Sequence, residues 1–203
     1  MTRKSSGANS LDSLNPFVAG SDDLNIIIET PKGSRNKFNY DEDLGLFKLG
    51  GMLPAGAVFP FDFGFVPSTL GGDGDPLDVL LLMDEPAFVG CLVEARLIGV
   101  IEAEQTEEEE TTRNDRLIAV ASESRTHKHV RSLSSLNEVV VDEIEHFFVS
   151  YNEIKQKVFK PLGRFGPQRA LKLVAEGEKL FRQKHRRRAA KSSKRPGANR
   201  KQR

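Results

Sequence analysis

A single cysteine, Cys91, stands among 203 residues, so no disulfide can close within the chain and nothing in it argues for export. No apolar run approaches the roughly 20 residues a membrane-crossing helix needs. The N-terminal MTRKSSGANSLDSLNPF has no apolar stretch of the signal-peptide kind, and the cytoplasm is the expected location. Internal repeats are also missing. Net charge is almost absent, at +1, but unevenly so: residues 182–203 hold 11 Lys and Arg without one acid, leaving 19 bases against 29 acids in the rest. An acidic body therefore carries a basic tail. With 38% hydrophobic and 29% charged residues, the body reads as one globular domain with a sizeable core.

The most informative stretch is Asp73-Gly74-Asp75-Pro76-Leu77-Asp78, followed at once by Val79-Leu80-Leu81-Leu82-Met83. Carboxylates that converge on a hard cation must be held by a rigid element, and the apolar run supplies one. Asp73 and Asp75 share a side of an extended segment, and the turn at Pro76 brings Asp78 back toward them. An EF-hand does not fit, because the fifth and sixth loop positions fall on Leu77 and Asp78. The cluster alone is equally readable as an acidic turn that caps a buried strand.

Short strands are expected at 26–28, 37–40, 46–49, 58–66, 79–83, 91–101 and 116–121, separated by turn residues. Phe59, Phe61, Phe63 and Phe65 alternate within the fourth, so their shared face is expected to be buried. Glu107–Glu110 reads as a solvated loop. A capping box of Ser135 and Glu138 would open a helix with Val140, Ile144, Phe147, Phe148 and Tyr151 on its apolar side. Gly166-Pro167 would open a second, with Leu171, Val174, Ala175 and Phe181 inward. Strands followed by two terminal helices imply a mainly β, α+β domain: a closed barrel with helices outside. The expected organisation is a flexible segment over 1–21, the barrel domain over 22–181 and a basic disordered tail over 182–203.

DGDPLD after an aromatic strand, with IIIETP upstream and HFFVSY downstream, resembles the soluble inorganic pyrophosphatases of family I over roughly residues 24–160. The resemblance implies a five-stranded OB-like closed barrel, Mg2+ as cofactor, pyrophosphate as substrate and a homo-oligomer, a hexamer in bacterial relatives. It also implies roles. Asp73, Asp78 and Glu29 would serve the metal ions, with Asn114 at a position where the family has an aspartate. Asp75 would orient the attacking water or take its proton. Lys37, Tyr151 and Arg116 would contact the phosphates. In isolation each has a plainer reading: Lys37 as a surface strand residue, Tyr151 as core, Glu29 as a strand-end charge.

The chain also departs from the family pattern. Gly51 stands where a phosphate-binding arginine is expected, Phe59 and Phe63 replace two tyrosines, and Asn39 replaces an acid. Gln105 and Asn114 fall at two metal-binding aspartates, Arg116 at a lysine, and Asn152 at the lysine after the helix tyrosine. Fewer anionic ligands weaken a Mg2+ site, although an amide still offers a carbonyl oxygen. Glu104, Glu107 and Asp115 are candidate replacement ligands, and Arg113 with Arg116 candidate replacement cations. Three readings follow: a divergent pyrophosphatase, a non-catalytic binding relative, or a hydrolase of larger pyrophosphate compounds. His127 and His129 alternate, but nothing completes a metal set around them. The tail offers salt-sensitive contact with a polyanion, or serves solubility or a neighbouring subunit.

Overall fold

The structure, a computed structural model, describes Leu11 and residues 14–193, and the side chains as far as Arg187. Nine strands and two helices follow one another as β1 (Leu24–Thr30), β2 (Asn36–Asp41), β3 (Leu46–Met52), β4 (Asp62–Val66), β5 (Leu77–Leu82), β6 (Leu92–Glu107), β7 (Glu110–Arg113), β8 (Arg116–Ala121), α1 (Glu138–Glu153), β9 (Val158–Phe165) and α2 (Pro167–Ser193). Five of the strands close on one another in the order β1-β4-β5-β8-β6 and back to β1. Within this ring only β5 and β8 run parallel. Closure leaves those strands without a free edge. The β2–β3 hairpin forms its own two-stranded sheet, while β7 and β9 both pair with the long β6. The result is the mainly β architecture with two helices that the sequence implies.

The ring strands are apolar on both faces because both faces are covered. Leu80, Leu82, Ile118 and Val120 enter one cluster with Phe59, Phe63 and the α1 residues Val141, Ile144 and Phe148. Their alternate neighbours Val79, Leu81, Leu117 and Ala119 enter a second, with Ala170 and Val174 of α2. Each helix therefore seals one core.

Several local expectations are corrected. The strand expected over 58–66 begins only at Asp62, and Phe61 is half-buried while Phe59, Phe63 and Phe65 are buried. Ser135 does not cap α1. It belongs to a short 3-10 turn over Leu133–Ser135, and Asn137 caps the helix by accepting the Val139 N–H. Ala175 is exposed, and the buried stripe of α2 runs through Ala170, Val174 and Gly177. α2 continues to Ser193 instead of ending near Phe181, because Arg, Gln, Lys and Ala are strong helix formers. The tail expected to be disordered over 182–203 is thus helical as far as Ser193, and residues 194–203 lie outside the described residues. Of the N-terminal segment, 1–10 and 12–13 also lie outside them. Phe17 is bridged to Leu24, and the Asn25 amide donates to the carbonyls of Asn15 and Phe17, so this part lies against the ring.

Candidate active site

Glu29 is the last residue but one of β1 and reaches the β2–β3 hairpin. Its Oε2 accepts from the Lys37 ammonium at 2.7 Å and its Oε1 from the Tyr40 N–H at 2.7 Å. Lys37 also donates to the Phe38 carbonyl and lies 4.6 Å from the Phe63 ring centroid. Burial pushes the Glu29 carboxyl above its ordinary range, Lys37 opposes the shift, and the charge of Asp78 adds to it.

The acidic loop is shaped by its glycines. Gly74 has φ of 92°, a conformation that side chains other than glycine rarely take. The Gly71 N–H donates to the Asp75 carbonyl at 2.7 Å, and the Asp75 N–H donates to Oδ1 of Asp73 at 3.2 Å. Asp78 already belongs to β5. Because β5 and β8 pair in parallel with Val79 beside Leu117, the preceding residues Asp78 and Arg116 are also neighbours. The Arg116 Nη1 donates to Asp78 Oδ2 at 2.6 Å and to Asn114 Oδ1, and the guanidinium lies 5.0 Å from the Phe148 centroid. Its buried Nε has no partner among the described residues. Asn114 in turn donates to Gln105 Oε1 at 3.0 Å. The carboxyls of Asp73 and Asp78 are both raised by burial, and the charge of Asp75 adds to each.

Tyr151 arrives from α1, edge-on to Phe59 and stacked on Phe147. All eight residues singled out from the sequence, Glu29, Lys37, Asp73, Asp75, Asp78, Asn114, Arg116 and Tyr151, line one cavity of about 1460 Å³. Not every substitute joins them. Asp115 accepts from the Ala103 N–H and from Arg113, and Arg113 also pairs with Glu102, so both face away from the cavity wall. Glu104 is not on that wall either, whereas Glu107 is. The Asn152 amide is buried and donates to the Phe148 carbonyl within its own helix. Gly51 leaves open space where a side chain would stand. His127 bonds with Ser124 and lies outside the cavity.

Sequence reasoning missed Lys155, Lys157, Lys184 and the tip residues Glu108–Glu110, all on the cavity wall. The tip is a tight turn between β6 and β7, and all four of its glutamates are exposed, as the expected solvated loop would be. For Lys155 a signal existed: it lies four residues beyond Tyr151, within reach on a helical turn. Among the described residues no three His, Cys, Asp or Glu side chains gather as a preformed metal cage. The wall nonetheless suits a hard cation. Its potential ligands are oxygens, and nine carboxylates face five Lys and Arg, so a bound polyanion needs further positive charge.

Residues 26–182 match the inorganic pyrophosphatase family. The chain belongs to that family. An inorganic pyrophosphatase of Synechocystis sp. is 36% identical over 159 residues, 78% of this chain and 92% of the relative. The crystal structure of the inorganic pyrophosphatase from Thermus thermophilus superposes with a TM-score of 0.78 at 35% identity, covering 85% of this chain and 99% of that one. That from Neisseria gonorrhoeae gives 0.75 at 30% identity, covering 83% and 96%. The closed ring is thus the OB-like ring of the pyrophosphatases, and no described helix is long and apolar enough to cross a membrane.

Proposed function

We propose that the chain hydrolyses inorganic pyrophosphate to two phosphates with Mg2+. The observation that carries the reading is the convergence of Asp73, Asp75 and Asp78 with Lys37, Arg116 and Tyr151 on one cavity, in a chain of this family. Asp73 and Asp78 would hold the cation, with the Asn114 carbonyl and the Glu29 carboxylate beside them. When bound, Mg2+ neutralises phosphate charge and lowers the pKa of a water. Asp75, at the tip of the loop, takes the proton of the attacking water as the new P–O bond forms and the bridging bond breaks. Lys37 and Arg116 hold phosphate oxygens, and Tyr151 donates to the departing phosphate.

A cation at Asp73 and Asp78 would offset the burial that raises both carboxyls and the repulsion that adds to it. It would also compete with Arg116 for Asp78. A location in the cytoplasm, a homo-oligomer of the hexameric kind and polyanion contact through residues 182–203 complete the proposal. Phosphate release from pyrophosphate, ATP and a dinucleoside polyphosphate, each with Mg2+, Mn2+ or Zn2+, tests it. Release from pyrophosphate with Mg2+ is expected to exceed all other combinations. Release only from the larger compounds, or from none while metal still binds, would overturn it.

A further inference from the structure

Lys155 lies just past the end of α1, on the third residue after the buried Asn152. Its ammonium donates to the Tyr151 hydroxyl at 2.6 Å and sits 4.4 Å from the centroid of that ring. Three other cations of the wall are already committed to carboxylates: Lys37 to Glu29, Arg116 to Asp78 and Lys157 to Glu107. Among the described residues Lys155 has no such partner. The bond also fixes the role of the phenol. Because the oxygen accepts from Lys155, the hydroxyl proton is free to point elsewhere, toward an acceptor in the cavity. An ammonium and a phenolic donor, side by side and facing one space, are what a phosphate group accepts from.

The geometry points to Lys155 as a phosphate-binding residue of this site, supplying from just beyond the C-terminus of α1 the charge that Asn152, turned into its own helix, does not. Together with Tyr151 it grips one phosphoryl end of pyrophosphate. Although the residue as a whole is exposed, partial desolvation of its ammonium against the wall, and then the neighbouring Lys157, hold it below the ordinary lysine range, so an arriving anion is welcome there. The inference rests on the pyrophosphatase reading, and its test separates the two.

Lys155→Met, Lys155→Gln and Lys155→Arg are compared with the wild type in Mg2+, by steady-state hydrolysis and by calorimetric binding of methylenediphosphonate, a diphosphate that water cannot cleave. Lys155 is exposed at a helix end, so the variants are expected to keep the wild-type melting temperature. The Met and Gln forms should bind the diphosphonate at least tenfold more weakly and show a higher KM. The Arg form should recover most of the affinity, which a merely structural side chain would not show. A wild type that hydrolyses pyrophosphate, with Met and Gln forms unchanged in KM and in affinity, overturns this inference alone. A wild type that neither hydrolyses nor binds overturns the functional reading and the inference with it.

Discussion

Lys37 and Glu29 show at single-residue scale how a charge on the wall of the proposed site is also structural. Each is almost wholly buried, and each is the other's partner. Removing one member of such a pair strands the other charge away from water, which typically costs about 3–5 kcal/mol. Lys37→Met is therefore expected to lose roughly that much stability in a denaturant titration, besides activity. Lys48→Met, which breaks the exposed pair with Asp41, is expected to leave the midpoint unmoved. Asp62 makes the complementary case. It is fully buried, its Oδ1 accepts from the Ala87 N–H, and its Oδ2 has no partner among the described residues. Burial raises its carboxyl above the ordinary value. Below the ordinary carboxylate range both folded and unfolded chains hold that proton and no penalty arises. As pH rises through the raised folded value, the folded chain must ionise a buried group and stability is lost. Asp62→Asn is thus expected to melt above the wild type at pH 7, with the gap closing near pH 4, in thermal melts across that range. The three aspartates were legible in the sequence because the loop that gathers them is local. The fate of Gln105, Asn114 and Asn152 was not, since it depends on which strand and which helix turn each meets.

The element that the sequence conceals most fully is the β6–β7 hairpin, whose tip brings Glu107, Glu108, Glu109 and Glu110 to the cavity. β7 is four residues of Glu, Thr and Arg without an apolar position, so no alternation marks it as a strand. β9 hides for another reason: Pro161 and Gly163 interrupt it, and both usually argue against a strand. The ring strands, by contrast, announce themselves through continuous apolar runs. An acidic tip over a site for a polyanion opposes entry unless cations accompany the substrate. Replacing Glu108, Glu109 and Glu110 by Gln is expected to lower KM for pyrophosphate several-fold at low ionic strength. The difference should fade in about 0.5 M salt, where screening acts within a few ångströms. A KM indifferent to these substitutions at every salt concentration would show that the tip does not influence binding.

For the whole molecule, charge and exposed apolar surface set the expectations. β3 leaves Leu46, Leu49 and Met52 each about three-fifths exposed, and Phe88 is more exposed still, at 69%. Surface of that kind in a small protein is commonly covered by another copy. The proposed homo-oligomer would use it. Residues 182–203 bring 11 Lys and Arg to a body with 19 bases and 29 acids. Deletion of 182–203 is expected to abolish retention on a DNA column at low salt, and unchanged retention would remove the proposed polyanion role. The central claim, that the aspartate loop and Mg2+ together cleave a phosphoanhydride, is tested most directly by titrating Mg2+ into the wild type and Asp78→Ala while following phosphate release from pyrophosphate. The account predicts saturable, Mg2+-dependent release by the wild type, at least a hundredfold less from the folded variant, and none in chelator. Equal release by both proteins, or release that ignores Mg2+, would contradict it.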